Sequence, residues 1–303
     1  MSDNATVAIV GAGLIGASWT ALLCAAGDHR VTVYDPSDAV LDDFLARVDD
    51  ARSQLAQLGH KQRGRVSIVH SLEEAVRDAG WIQENGPERL ATKHDIYQRI
   101  EAVAAPSAII ASSTSAFRWS ELSSAMKQPA RFITAHPFNP PHLIPLVEIY
   151  GPDPSVVARA VAFFTAVDRK PVVLKKDAVG HIANRLSSAL WREAVSIVAN
   201  GIATVEDVDA ALVNGPGLRW AVNGAHLTYH LGGGAGGLRG YLDQLGPSQE
   251  RRWADLGSPS LTTEVEDALV EGIEAEIKGR SVADLTSMRD EALIRILNAK
   301  AGA

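Results

Sequence analysis

Two polar residues beside apolar segments have the types needed for acid–base chemistry. His136 directly follows the apolar segment Phe132 to Ala135, and Glu148 lies near the end of another, Leu146 to Ile149. Ligands of an open α/β sheet collect at strand ends, and a carboxylate beside a histidine fixes its tautomer and raises its basicity. The pair therefore predicts a His–carboxylate dyad, with a histidine that is merely hydrogen-bonded as the open alternative.

Ser115 and Asn184 are candidates for binding the reacting oxygen of an alcohol or ketone. Ser115 ends the polar run that begins at Ser112, and Asn184 lies near the start of the helical pattern Ile182 to Asn200. A hydroxyl and an amide can hold an oxygen whose charge changes during hydride transfer. Serine runs also form turns, so these residues alone leave both interpretations open.

A glycine pattern near the N terminus predicts a dinucleotide site. It joins an apolar strand, Val7 to Val10, to the helix that follows it. Its glycines would allow a tight turn, a close approach of backbone N–H groups to a pyrophosphate, and close helix–strand packing. The start of the helix adds the positive end of its dipole. The predicted cofactor-binding residues of this loop are Gly11, Gly13, Leu14, Ile15 and Gly16.

Asp35 selects the type of dinucleotide. It follows the second apolar strand, Val31 to Tyr34, where a carboxylate can accept hydrogen bonds from the adenosine ribose. A carboxylate also repels a 2′-phosphate, and the next three residues include no arginine or lysine to receive one. The predicted cofactor is NAD rather than NADP.

The composition narrows the class of protein. With 303 residues the chain can form two domains, and 46% apolar residues with a net charge of −7 are ordinary for a globular protein. The negative charge argues against nucleic-acid or membrane partners, and no apolar run is long enough to span a bilayer. The single cysteine, Cys24, excludes an internal disulfide. We expect a cytoplasmic enzyme with a small-molecule substrate and no metal.

The pattern of segments predicts the fold. Short apolar strands alternate with helical stretches up to about residue 175, which is typical of a mostly parallel, doubly wound sheet. From Val179 onward only helical patterns occur, with glycine-rich loops at Asn214 to Gly217 and Gly232 to Gly237. The prediction is an α/β Rossmann domain over residues 1–178 and an all-α domain over 179–303. A long helix is expected from Ala39 to Leu58.

Several separated motifs together resemble the L-3-hydroxyacyl-CoA dehydrogenase superfamily. They are the glycine loop, Ser113-Thr114-Ser115, His136-x-Phe138-Asn139-Pro140, Leu146-Val147-Glu148 and Gly180-x-Ile182-x-Asn184-Arg185. The resemblance implies that His136 is the general base and that Glu148 orients it. It also implies that Ser115 and Asn184 bind the reacting oxygen, and that Glu84, Glu88 and Lys93 lie near the nicotinamide ribose. A homodimer formed through the helical domain is implied as well.

The motifs are most similar to the branch that contains L-gulonate 3-dehydrogenase, lambda-crystallin and L-carnitine dehydrogenase. Trp191 lies seven residues after Asn184, two helical turns along the same face. Aromatic faces bind quaternary ammonium groups, and an arginine can bind a carboxylate. Core or dimer packing of the aromatic residues is the alternative. The predicted substrate-binding residues are Ser115, Phe138, Asn184, Trp191, Arg219, Trp220 and Tyr229.

This resemblance implies NAD-dependent oxidation of a small L-3-hydroxy acid, with carnitine the first candidate and gulonate the second. A 3-hydroxyacyl-CoA dehydrogenase is the alternative enzyme. A crystallin-like or NAD-sensing protein without activity is the alternative of another class.

Overall fold

A computed structural model describes residues 5–301 of the chain. Within this range eight strands form one sheet in the order β3-β2-β1-β4-β5-β6-β7-β8. All neighbouring strands are parallel except β6 and β7. This confirms the predicted mostly parallel sheet. The strands are β1 Thr6–Val10, β2 Arg30–Tyr34, β3 Arg65–Ile68, β4 Trp81–Glu84, β5 Ile109–Ser112, β6 Phe132–Pro137, β7 Leu146–Tyr150 and β8 Lys170–Val173.

Helices connect the strands of this N-terminal part. They are α1 Leu14–Ala26, α2 Asp38–Asp42, α3 Phe44–Gln57, α4 Leu72–Val76, α5 Leu90–Val103, α6 Trp119–Ser123 and α7 Pro154–Ala166, with a 3₁₀ turn at Pro129–Arg131. The single long helix expected from Ala39 to Leu58 is divided at Asp43, which ends α2 and caps α3. The division lets Phe44, at 0% exposure, begin the buried face of α3.

The remaining elements are helical, as predicted. They are α8 Ala183–Ala199, α9 Val205–Asn214, α10 Pro216–Trp220, α11 Ala225–Gly232, α12 Gly237–Asp255, α13 Thr263–Ile277 and α14 Val282–Ala301, with a 3₁₀ turn at Gly234–Gly236. The two glycine-rich stretches lie at junctions between helices rather than at strand ends. Across residues 5–301, every helix is too short or too polar to serve as a membrane span.

The sheet buries an apolar layer on each face. Val7 and Ile9 of β1 belong to one buried cluster, whereas Ala8 of the same strand belongs to the other. This follows from the alternation of side chains along a strand. Trp81 stacks on Phe163 of α7, with ring centroids 3.9 Å apart. Burial on both faces holds the carboxyl ends of the strands in fixed positions.

The chain divides into two compact units. The first extends to Arg185 and includes the residues from Thr286 onward, and the second is Leu186–Leu285. The end of α14 joins the first unit through contacts with α3: Gln54 Nε2 donates to Asp290 over 3.1 Å, and Asn298 donates to the Gln57 carbonyl. The predicted division at residue 178 stays a prediction, and the structure adds that most of the last helix belongs to the first unit, where it contacts α3.

Candidate active site

The glycine loop has the geometry that its sequence predicts. Gly11 has a φ of +96°, and a Cβ there would lie 2.7 Å from the Asn85 backbone. A Cβ on Gly16 would overlap the Gly11 carbonyl, whereas one on Gly13 would meet nothing within 4 Å. Gly13 therefore leaves open space in front of the first turn of α1, whose N–H groups have no acceptor within the helix. An anion such as a pyrophosphate fits there.

Asp35 connects the loop to the end of β2. Its Oδ2 accepts the Ala12 N–H over 2.8 Å, and its Oδ1 accepts the Ser37 N–H over 2.9 Å. The side chain is half-buried, so each oxygen retains a lone pair for a further donor. Contact of Asp35 with a ribose stays a prediction.

His136 and Glu148 form a buried pair across β6 and β7. The two residues are directly opposite in the antiparallel register, and His136 Nδ1 lies 2.9 Å from Glu148 Oε2. Their side chains are only 6% and 1% exposed. Because a carboxylate can only accept, Nδ1 donates to Glu148, and Nε2 is the acceptor whenever the imidazole is neutral. The structure brings the two predicted residues together, and the role of His136 as a base stays a prediction.

The second oxygen of Glu148 holds the start of α8. Oε1 accepts the N–H groups of Ile182 over 2.7 Å and Ala183 over 3.0 Å. Burial by itself would raise the pKa of Glu148, but the hydrogen bonds from His136 and from these two N–H groups bring its pKa below the usual value. Glu148 is thus an anion at neutral pH, and it fixes the segment that carries Asn184.

Glu88 organises the loop after β5. Its Oε1 accepts from the Thr114 hydroxyl over 2.5 Å and from the N–H groups of Ser115 and Ala116 over 2.9 Å each. Its Oε2 lies 3.3 Å from Lys93 Nζ. Burial opposes ionisation, yet these donors lower the pKa of Glu88. Ser115 itself is exposed, so its hydroxyl is available to a ligand.

Glu84 and Lys93 form a fully buried ion pair behind Glu88. Lys93 Nζ lies 2.9 and 3.1 Å from the two Glu84 oxygens, and the hydroxyls of Tyr97 and Ser112 each donate to Oε2 over 2.7 Å. Burial, followed by the Glu84 charge, raises the pKa of Tyr97 well above its usual value. Glu84 is 0% exposed and Lys93 1%. Their contact with a cofactor stays a prediction, and in the structure Lys93 joins the two carboxylates of Glu84 and Glu88.

His181, which is outside the predicted site residues, stacks on the face of His136. The ring centroids are 4.7 Å apart and the planes differ by 15°. Phe138, half-buried, presents its edge to the same histidine at 6.4 Å. The only sequence signal for His181 is its place as the variable position between Gly180 and Ile182.

His136, Glu148 and His181 bring possible metal-ligand atoms within 4.8 Å of one another. A metal ion binds imidazole nitrogens in the plane of each ring. Because the two rings are almost parallel and their centroids are 4.7 Å apart, one ion cannot lie in the plane of both rings. The cluster is better suited to proton chemistry than to a metal.

The predicted residues for substrate recognition beyond Asn184 lie in the second unit. Trp191, Trp220 and Tyr229 are 57%, 45% and 41% exposed. Tyr229 packs against Tyr241 at 5.0 Å, and Arg219 lies beside Trp220 on α10. Substrate binding by these residues stays a prediction.

Sequence profiles of known families match both parts of the chain. The profile described as 3-hydroxyacyl-CoA dehydrogenase, NAD binding domain, matches residues 6–178. The profile described as 3-hydroxyacyl-CoA dehydrogenase, C-terminal domain, matches residues 180–259. Together they cover most of the sequence, in the order in which the sheet and the helices occur.

Individual proteins are similar over almost the whole length. The L-carnitine dehydrogenase of Streptomyces coelicolor is 41% identical over 97% of this chain and 94% of its own. That of Streptomyces griseus is 42% identical over 98% and 90%. Among solved structures, 5-formyl-3-hydroxy-2-methylpyridine 4-carboxylic acid 5-dehydrogenase, described as an NAD⁺-dependent dismutase, has a TM-score of 0.83 at 27% identity, covering 98% of this chain and 99% of that one.

Proposed function

The chain belongs to the 3-hydroxyacyl-CoA dehydrogenase family, and from this membership we propose that it oxidises the 3-hydroxyl group of a small L-3-hydroxy acid, L-carnitine first, with NAD as the oxidant. The single observation that carries the chemistry is the buried His136–Glu148 pair, because it leaves Nε2 of the histidine as an acceptor. The product is the corresponding 3-keto acid.

The glycine loop fits the cofactor. The space at Gly13, the first turn of α1 without an acidic side chain, and the Asp35 carboxylate match a pyrophosphate and a ribose diol. Asp35 disfavours a 2′-phosphate, which supports NAD over NADP. Bound NAD supplies the acceptor for the hydride that leaves the substrate carbon.

His136 removes the hydroxyl proton. Nε2 accepts it as the carbon loses hydride, and Glu148 stabilises the imidazolium that forms 2.9 Å away. The hydroxyl of Ser115 and the amide of Asn184 bind the reacting oxygen as it becomes a carbonyl. Glu88 fixes the Ser115 backbone, and Glu148 fixes the start of the helix that carries Asn184. Burial of the dyad keeps water away from the transferred proton.

Relatives about 40% identical over nearly the whole chain support carnitine as the substrate. The exposed aromatic side chains of Trp191, Trp220 and Tyr229 offer faces for a trimethylammonium group. Arg219 offers a bidentate partner for the carboxylate. These four assignments are part of the proposal.

We also propose that the protein is a cytoplasmic homodimer whose second copy covers the helical unit. Most of the exposed large apolar side chains lie between residues 186 and 285, including Ile202, Leu218 and Val222 at 72%, 65% and 71% exposure. Apolar surface of this kind marks an interface. Light scattering after size exclusion should give twice the 32.2 kDa chain mass, and a single-chain mass would contradict the dimer.

The substrate test compares NADH formation with L-carnitine, L-gulonate and 3-hydroxybutyryl-CoA at equal concentrations. We expect the highest kcat/KM with L-carnitine. A preference for the thioester would favour a 3-hydroxyacyl-CoA dehydrogenase instead. Binding of NADH without turnover of any of the three would favour an NAD-sensing protein.

A further inference from the structure

The face of the base is covered by a second imidazole. His181 lies on His136 with ring centroids 4.7 Å apart and planes 15° from parallel, and it is only 3% exposed. The Cβ–Cγ bond and the hydrogen bond to Glu148 hold the His136 ring, and rotation about Cβ–Cγ would turn Nδ1 away from Glu148. A flat group against the ring face blocks this rotation.

His181 is itself held in place. Its backbone has a φ of +51°, its Nε2 lies 3.4 Å from the Thr134 hydroxyl, and its Nδ1 has no hydrogen-bond partner within the described part of the chain. Burial, followed by the charge of His136, lowers the pKa of His181 to about 4. The carboxylates of Glu148, Asp177 and Glu88 oppose this shift without overcoming it. The ring is thus neutral at neutral pH.

We propose that His181 is a positioning residue whose aromatic face holds the His136 ring in line with Glu148 and stabilises the imidazolium that forms during turnover. This inference rests on the proposed function, in which His136 receives the substrate proton. A neutral π face attracts a cation placed over it, so the contact is stronger after proton transfer than before. The polar atoms of His181 are not needed for this role.

Two substitutions separate the ring face from the ring nitrogens. His181→Phe keeps an aromatic face and removes both nitrogens. His181→Asn keeps polar atoms, removes the face, and suits the left-handed backbone. We expect kcat of His181→Phe to stay within about 3-fold of the unsubstituted enzyme, and kcat of His181→Asn to fall about 10-fold. The Kd for NADH and the melting temperature should change little in His181→Asn, which distinguishes positioning from a general structural role.

The kinetic outcomes decide between the two properties. A fall in His181→Phe equal to that in His181→Asn would overturn the proposal, as would unchanged kcat in His181→Asn. If kcat were kept in His181→Asn and lost in His181→Phe, the role would belong to a ring nitrogen, and the proposal would also be overturned.

A spectroscopic readout works without any substrate. In protein labelled with ¹⁵N-histidine, the Nδ1–H signal of His136 should be sharp in the unsubstituted protein and in His181→Phe, and broadened by exchange in His181→Asn. Identical signals in all three would refute positioning. If the unsubstituted protein oxidises none of the tested hydroxy acids, the proposed function fails. The Nδ1–H signal still shows whether His181 orders the His136 ring.

Discussion

His136 and Glu148 lie directly opposite each other on β6 and β7, the one antiparallel pair in the described sheet. The register of two strands therefore sets the distance between the base and its carboxylate. A shift by one residue would turn Glu148 to the other face of the sheet. Because Val147 and Ile149, on either side of Glu148, are fully buried, such a shift would also bring a charge into the apolar core.

Replacing the base should stop turnover without releasing the cofactor. In His136→Gln the amide can still donate to Glu148, so the site stays folded, but it cannot take up a proton. We expect kcat to fall by about 10²–10⁴-fold. The Kd for NADH, measured by fluorescence titration, should be unchanged. Unaltered kcat would remove His136 from the mechanism.

The glycine loop allows a matched pair of alanine substitutions. Gly16→Ala brings a Cβ into the Gly11 carbonyl, so it should lower the melting temperature of the cofactor-free protein. Gly13→Ala meets nothing within 4 Å, so it should fold normally. Its added methyl group should nevertheless weaken NADH binding by at least about 10-fold by obstructing the phosphates. Normal NADH affinity in Gly13→Ala would show that the phosphates do not bind there.

Breaking the buried ion pair should cost much more than breaking an exposed one. Lys93→Met leaves the Glu84 carboxylate buried without its cation, and we expect the free energy of unfolding to fall by about 3–5 kcal/mol. The control Arg47→Met removes the exposed pair with Asp43 and should cost about 0–1 kcal/mol. Urea denaturation measures both. Adding Glu84→Gln to Lys93→Met should recover part of the loss, and equal effects of the two single substitutions would contradict this account.

Stability should fall between pH 6.5 and 4 because of His142. Burial lowers the pKa of His142 to about 4, so the unfolded chain takes up a proton in this range before the folded protein does. Acidification therefore favours the unfolded chain by up to about 3 kcal/mol from this residue. Urea titrations at several pH values should show a shallower pH dependence in His142→Asn. An unchanged slope would mean that His142 does not contribute.

Much of the fold could be predicted because local signals agreed with the tertiary structure. Alternating apolar strands and helices indicated the sheet, and the glycine spacing identified the turn before α1. The division at Asp43 was missed because nothing in the helical spacing of Ala39 to Leu58 marks it. It depends on where Phe44 must pack.

The site was predictable to the extent that its residues follow strands. His136 lies near the end of β6 and Ser115 in the turn after β5, where motif spacing can locate them. Glu148 is instead the central residue of β7, so its predicted place near a strand end was wrong, although its pairing with His136 was predicted. His181 could not be found in this way, since it lies outside any strand and reaches His136 from a left-handed backbone position that the motif spacing does not indicate. The same holds for Tyr97, whose bond to Glu84 exists only after α5 has packed. Ser112 differs, because it meets Glu84 directly across β5 and β4.

One carboxylate serves two structures at the dyad. The oxygen of Glu148 that faces away from the imidazole accepts the N–H groups of Ile182 and Ala183, where α8 begins. Loosening that helix start would withdraw two donors from the acid that steadies the base, and the proton affinity of the whole pair would change with it. Proton transfer and the anchoring of the segment that carries Asn184 are therefore thermodynamically linked. A change in the stability of the helix start changes the proton affinity of the pair, and the reverse also holds.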